Sequence, residues 1–246
     1  MCDIEDYDLV GCYLLITCKQ KTLEKMLQED AFPRPLVMVD TALFTILDKQ
    51  LCLILARRKD PPFQGARALL GGFVHVQDDG DAEDAARRVI RDKIGFDAPY
   101  LEQLYTFSGK RRDPRGWSVS IAYYALVPAT LLGHSQATET FPVDILSELP
   151  FDHGQIVAKA VERLRSKATY SSLPAFLLPE EFTLNDLHCI YQQTQGAILD
   201  KASFRHKIME QDIIEAIPGR FRTGAHRPAQ LYRLTRRALT PFERKI

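Results

Sequence analysis

A segment near the carboxyl end of the chain carries the side chains that proteins use to bind DNA. Phe204 and Ile208 lie four residues apart within Ala202–Glu210 and predict a helix with one inward face. The candidate DNA contacts on its other face are Ser203, Arg205, His206 and Lys207. A recognition helix in a major groove has this arrangement, so the segment is interpreted as one.

A second basic segment follows that helix. The loop Gly219–Pro228 places basic and hydroxyl side chains around two glycines, which suits a flexible wing that reaches phosphates or a minor groove. Its candidate DNA contacts are Arg220, Arg222, Thr223 and Arg227. The alternative is a solvated hairpin, and Arg222 and Arg205 are the preferred candidates.

Charge is divided unevenly along the 246 residues. The 32 Lys and Arg residues balance 32 Asp and Glu, yet residues 183–246 hold eleven basic and six acidic residues. That region therefore has a net charge of +5 and the rest −5, which is typical of a chain in which one half meets nucleic acid. A solvated basic face is the alternative.

The helices and strands predicted around the candidate DNA contacts follow one another in the order found in a winged helix. Thr183 is placed to cap a helix that carries Leu184, Leu187 and Ile190 at apolar spacing. Two strands are predicted after the recognition helix, Ile213–Ile217 and Gln230–Leu234, with Pro218-Gly219 as the turn region. Helices followed by a basic hairpin indicate a winged helix.

The residues before this region predict a mixed α/β domain. Strands are predicted at 36–47, 51–56, 68–74, 100–107 and 117–127, with the glycine pair Gly71-Gly72 in the third. Apolar spacing predicts helices from Ala82 to Gly95 and from His153 to Lys167, and Tyr170–Pro174 is predicted to connect two domains.

Gly71–Phe96 resembles the Nudix box of nucleoside-diphosphate-X hydrolases. The residues that match its pattern are Arg88, Ile90, Gly95 and Phe96. Three positions at which that family has Glu hold Val89, Asp92 and Lys93, whose charges sum to zero. Because Mg²⁺ needs several oxygen ligands, the resemblance implies a Nudix-like domain with no metal site and no catalytic residues.

Other acidic residues stand close to that helix. They are Asp78, Asp79, Asp81, Glu83 and Asp84. Acids before a helix more often cap it and complement its dipole than bind metal. An active Nudix hydrolase of the ADP-ribose pyrophosphatase kind, with an auxiliary nucleic-acid-binding module, is kept as the alternative.

Residues from about 34 to 240 resemble the NrtR-type Nudix-related transcriptional regulators. The runs that carry the resemblance include Phe151-Asp-His153, Leu177–Leu184 and, as the most specific, Arg227-Pro-Ala-Gln-Leu-Tyr232. The resemblance implies an α+β chain, a Nudix-like mixed-sheet α/β/α sandwich followed by a winged helix-turn-helix domain. It also implies a homodimeric repressor of NAD-related or sugar/nucleotide metabolism genes on a palindromic operator, with ADP-ribose or a related nucleotide as effector.

Candidate effector contacts follow from the chemistry of a diphosphate. Guanidinium forks match phosphate oxygens, and an indole can stack on a base or ribose. The candidates are Arg57, Arg58, Arg112, Arg115 and Trp117. Surface solubility is the alternative for the arginines and core packing for the tryptophan, while His75 and His153 are interpreted as structural.

Composition excludes several other classes. The chain is 46% hydrophobic and 26% charged, and its longest apolar run, Leu9–Cys18, is too short for a bilayer. Five cysteines without a C-x-x-C pair favour neither disulfides nor zinc, so a cytoplasmic protein without a required cofactor is expected. The predicted domains are an extension of unknown role (1–33), the sensor (34–150), a linker helix and connector (151–175) and the winged helix (176–246).

Overall fold

A mixed seven-stranded sheet around strand β1, Leu36–Leu47, forms the centre of the fold. The computed structural model describes residues 34–133, 138–223 and 228–246, and Leu36–Ile246 form one compact unit. The other strands are β2 (Gln50–Arg57), β3 (Arg67–Ala68), β4 (Leu70–Phe73), β5 (Tyr100–Gly109), β6 (Ser118–Leu126) and β7 (Thr138–Pro142). The main order is β3-β2-β1-β6-β5; β4 pairs with β1 and β7 with β2.

Strand β1 is buried on both faces because helices cover both sides of the sheet. It pairs parallel to β6 and antiparallel to β2 and β4. Helix α1, Ala82–Ile94, packs Val89 and Ile90 against one face. Helix α2, His153–Ala168, packs Ile156 and Leu164 against the other. The predicted α/β/α sandwich is confirmed.

The strand predicted at 68–74 is two strands that break at Leu69, and the glycine pair lies within the second. Arg67–Ala68 pairs with β2, whereas Leu70–Phe73 crosses to β1. A Cβ on Gly71 would collide with the Asp40 side chain, and one on Gly72 would lie 2.8 Å from Val89 Cγ2. Both positions therefore need glycine because the backbone passes close to a neighbour.

The winged helix completes the described chain. Its elements are β8 (Phe182–Thr183), α3 (Leu184–Gln195), α4 (Lys201–Glu210), β9 (Ile214–Arg222) and β10 (Ala229–Leu234). Thr183 and Asp186 form a reciprocal capping box at the start of α3. No helix within the described residues is long and apolar enough to span a bilayer.

The predicted hairpin turn at Pro218-Gly219 is wrong. Both residues lie inside β9, where the pairing with β10 shifts between Gln230 and Tyr232. Gly219 has φ +69, and the Gln230 side-chain amide donates to the carbonyls of Ile217 and Arg220. The dipeptide forms a bulge that re-aims the strand, so Arg220 and Arg222 belong to a strand rather than to a loop.

One hydrophobic cluster runs through both domains. It joins Phe44 of the sheet and Leu164 of α2 to Phe176, Tyr191 and Phe204 of the winged helix. Helix α2, predicted as a linker, therefore lies along the sheet and also contacts α3. A close-packed core of this kind transmits displacement between the elements that share it.

Candidate functional site

A cavity of about 310 Å³ opens between the sheet and the first turn of α2. It is lined by four of the predicted effector contacts, Arg57, Arg58, Arg112 and Arg115. Trp117, the fifth, is 49% exposed and lies outside the lining. The structure thus brings the four arginines together and separates the tryptophan from them.

Buried charges form the floor of this cavity. The Asp40 carboxylate accepts a hydrogen bond from Ser120 Oγ at 2.6 Å and lies 3.4 Å from both Arg112 Nη2 and His153 Nε2. Burial by itself raises the pKa of Asp40, but the attraction and hydrogen bond of His153, with Ser120 and Arg112, leave that pKa below its usual value. The carboxylate is thereby held charged beneath the cavity.

His153 and Asp152 connect the floor to α2. His153 is 3% exposed, and its Nδ1 accepts a hydrogen bond from the Leu69 backbone N–H at 3.1 Å. Asp152 precedes the helix and binds Arg112 through two hydrogen bonds of 2.8 and 2.9 Å. The structural role predicted for His153 fits these contacts, which also place its ring at the cavity.

Sequence reasoning missed Asp40. A single acid within the apolar run of a central strand was the available signal, because such a charge needs partners when it is buried. Those partners lie 72 to 113 positions away in the chain and were not identifiable beforehand.

Three of the four arginines are already bound to carboxylates. Arg112 is 6% exposed and held by Asp152. Arg115 forms a bidentate pair with Asp113, at 2.7 and 3.0 Å, and Arg57 Nε lies 2.6 Å from Glu139. Their guanidinium forks are therefore not free in the way the prediction assumed, which leaves Arg58 as the exception.

Within the described residues, Arg58 forms no ion pair, and its guanidinium group lies over an aromatic ring. It donates to the backbone carbonyls of Pro62 and Asp60 and stands 4.8 Å from the Phe151 ring centroid. Arg115 approaches the same ring at 5.9 Å and Phe73 at 5.0 Å. These rings offer a flat apolar wall on which a base or ribose could pack.

A second cavity, of about 520 Å³, lies over α1 and continues from the first. The residues common to both linings are Arg57, Arg58, Lys59, Gly71, Gly72 and Lys93. Val89 and Asp92 of α1 also line the second cavity. The two cavities form one cleft, which runs from α1 to the start of α2.

The acids next to α1 are engaged in protein contacts. Asp79 accepts two hydrogen bonds of 2.8 Å from Arg88. These hydrogen bonds lower the pKa of Asp79 to about 2, although desolvation by itself would raise it. Asp81 caps the helix and Glu83 pairs with Arg87. Within the described ranges, no group of three or more His, Cys, Asp or Glu could hold a metal ion.

Helix α4 presents the predicted basic face. Phe204 is 2% exposed and Ile208 fully buried, which confirms the inward side. The outward residues are Ser203, Arg205, His206 and Lys207, all exposed. Asp200 caps the helix by accepting from the Ser203 N–H, and this hydrogen bond lowers the pKa of Asp200.

The wing arginines lie on β9 and pair with acids of the same domain. Arg220 Nη2 lies 2.7 Å from Glu181, and Arg222 Nη1 lies 2.7 Å from Asp186. Thr223 is exposed after the strand, whereas Arg227 lies outside the described residues. Because both ion pairs are at the surface, DNA phosphates can compete for these guanidinium groups.

Known proteins match both halves. A family model for the NrtR DNA-binding winged helix domain matches residues 174–234. The ADPR responsive transcriptional repressor NtrR of Acinetobacter baylyi is 37% identical over 212 residues, which cover 84% of each chain. An ADP-ribose pyrophosphatase of Methanocaldococcus jannaschii is 33% identical over 126 residues, 50% of this chain and 71% of that protein.

Two solved structures extend the comparison to the fold. Shewanella oneidensis NrtR complexed with a 27mer DNA has a TM-score of 0.79 and 34% identity, and the match covers 85% of this chain and 99% of that one. The NUDIX domain of the same protein, complexed with ADP ribose, has a TM-score of 0.50 and 35% identity over 57% of this chain and 98% of that one.

The fold and site define a protein that joins a Nudix-like domain to a DNA-binding winged helix. The chain belongs to the NrtR family of Nudix-related transcriptional regulators. The predicted resemblance and fold class are confirmed.

Proposed function

We propose that this protein represses genes of NAD-related or sugar/nucleotide metabolism and that ADP-ribose or a related nucleotide diphosphate controls its affinity for DNA. The observation that carries the proposal is the position of α2. Its first turn lines the cleft through His153, and its apolar face shares one core with the winged helix. A ligand in the cleft therefore acts on an element that also packs against the DNA-binding domain.

The range from His153 to Lys167 is proposed as the lever between the two sites. Arg112 fixes the start of α2 through Asp152, and Lys167 fixes its last turn through a 2.6 Å contact with Glu102. Because ion pairs hold both ends of α2, one to the loop after β5 and the other to β5 itself, the helix has defined positions rather than free motion. An effector that binds one arrangement better shifts the population toward it.

The proposed partners follow from family membership and surface chemistry. The protein acts in the cytoplasm as a homodimer that presents two copies of α4 to a palindromic operator, since half-site symmetry mirrors protein symmetry. The proposed DNA contacts are those predicted above, from Ser203 to Arg227. No cofactor is required in this proposal. The predicted extension, residues 1–33, lies outside the described residues, and no role is proposed for it.

The proposal treats the Nudix-like domain as a sensor rather than an enzyme. It is supported by two positions of α1 at which the Nudix family has glutamate. This chain has the apolar Val89, which packs into the core, at one of them and the basic Lys93 at the other. The alternative, an active hydrolase with an auxiliary nucleic-acid module, is favoured by the similarity to the archaeal pyrophosphatase. Release of AMP from ADP-ribose separates the two.

The experiment that tests the proposal is a thermodynamic cycle. ADP-ribose is titrated calorimetrically into the full chain with and without saturating operator DNA. Linkage requires the two ADP-ribose affinities to differ by the same factor by which ADP-ribose changes operator affinity, about 5- to 150-fold for a coupling of 1–3 kcal/mol. If every nucleotide diphosphate tested binds with the same affinity in the presence and absence of operator DNA, the Nudix-like domain is a dimerisation scaffold and not a sensor.

A further inference from the structure

The part of the cleft above α1 carries an excess of positive charge. Its charged lining residues are Arg57, Arg58, Lys59, Arg88, Asp92 and Lys93. Arg88 pairs with Asp79 at 2.8 Å, and Arg57 pairs at 2.6 Å with Glu139, a carboxylate that also binds Arg67 at 3.0 Å. Asp92 lies 3.9 Å from Arg88 and is 64% exposed, so it adds little compensation.

Three cations remain without a carboxylate. Within the part of the chain that the structure describes, Lys59 and Lys93 form no ion pair, and the side-chain hydrogen bonds of Arg58 go to backbone carbonyls. Burial and the like charge of Arg115 lower the pKa of Arg58. An anion placed among these groups would relieve their mutual repulsion.

The magnesium ions of an active Nudix site do not fit this lining. At the three positions of α1 where active relatives have glutamate, this chain has Val89, Asp92 and Lys93. Val89 is buried, Lys93 carries an ammonium group, and only the exposed Asp92 carboxylate could bind a metal ion. The nearby loop acid Asp79 is held by Arg88. A divalent cation would find a single carboxylate here, that of Asp92, and would be repelled by the Lys93 ammonium.

We propose that the cleft binds the diphosphate of the effector directly, with Lys59 and Lys93 supplying the charge that magnesium provides in active relatives of the fold. This inference rests on the proposed function and names the side chains that would bind the diphosphate of the effector. A diphosphate bridging two sugars carries two negative charges, which two ammonium groups match as point charges. The nucleoside then extends into the first cavity, where Phe73 and Phe151 form its wall.

The test uses two probes, inorganic pyrophosphate and ADP-ribose, titrated calorimetrically into the full chain. Each titration is run in EDTA and again in millimolar Mg²⁺, with wild type, Lys59→Gln and Lys93→Gln. The matched control is Arg91→Gln, which removes a positive charge from the same helix outside both cavities. Melting temperatures establish that every variant is folded.

We expect wild type to bind both probes in EDTA, and Mg²⁺ should leave the affinity for ADP-ribose unchanged. Because Mg²⁺ complexes free pyrophosphate and lowers its negative charge, it should weaken pyrophosphate binding rather than strengthen it. Each lysine substitution should weaken both affinities about tenfold, and Arg91→Gln should leave them as in wild type. A requirement for Mg²⁺, or wild-type affinity for both probes in both lysine variants, overturns the inference.

The two proposals fail in different ways. If ADP-ribose changes operator affinity but needs Mg²⁺ or ignores the lysines, the inference falls and the repressor function stands. If the lysines bind pyrophosphate and ADP-ribose without metal but operator affinity is unaffected, the direct diphosphate site stands and the proposed function falls.

Discussion

Arg112 holds the buried floor of the cleft together, and its replacement by methionine is the most informative single change. Its guanidinium makes two hydrogen bonds to Asp152, at 2.8 and 2.9 Å, one to Ser118 at 3.2 Å and a longer contact of 3.4 Å to Asp40. The side chains of Arg112 and Asp40 are each 6% exposed, and that of Asp152 is 11% exposed. These charges therefore have little contact with bulk water, which would compensate poorly for the lost cation.

The expected magnitude follows from that burial. Removing one partner of a buried ion pair leaves the other charge uncompensated and costs about 3–5 kcal/mol of unfolding free energy. For a domain of this size, each kcal/mol lowers the melting temperature by about 2–4 °C, so Arg112→Met should melt about 6–20 °C below wild type. The exposed neighbour Arg111 is the matched control, and Arg111→Met should change stability by less than about 0.5 kcal/mol.

Urea denaturation followed by circular dichroism measures both variants, and a second substitution checks the cause. Adding Asp40→Asn to Arg112→Met removes a buried charge that has lost its partner. The double variant should therefore be more stable than the sum of the two single changes predicts, by at least about 1 kcal/mol. A loss below 1 kcal/mol for Arg112→Met, equal to its control, would refute the assignment of Arg112 to the buried floor.

Three further predictions concern DNA, catalysis and pH. Arg205→Ala and Arg222→Ala should each weaken operator binding by about 1–3 kcal/mol in gel-shift titrations, whereas Arg236→Ala should not, and wild-type affinity in both would contradict the winged-helix interface. With millimolar Mg²⁺ the wild-type chain should release negligible AMP from ADP-ribose, and steady multi-turnover release would favour the hydrolase alternative. The folded-state pKa of Asp79 is about 2 against an ordinary 3.8, so its stabilisation is present above about pH 4 and is lost as pH falls toward 2. Asp79→Asn should therefore be less stable than wild type in neutral-pH urea titrations, and a difference that persists at pH 2 would contradict this reasoning.

Local patterns were sufficient to predict most of the elements. The apolar spacing of Ala85, Val89 and Ile90 predicted α1, and Gly95 ends it with φ +87. The residues that form such signals lie within a few positions of each other, so the signals can be recognised from the sequence alone. The same local reasoning misjudged Pro218-Gly219, because only pairing with β10 decides whether the dipeptide turns the chain or bulges within a strand.

Residue types and their spacing were enough to establish the family resemblance, the inward and outward sides of α4 and the kinds of side chain in the cleft. The contacts that those side chains make became known from the fold. In the fold, Arg112 and Arg115 bind protein carboxylates, Trp117 lies outside the cleft, and Lys59 and Lys93 line the same cavity. The reason is physical: a charge is neutralised by whichever groups folding brings within a few ångströms, and these partners come from distant parts of the chain.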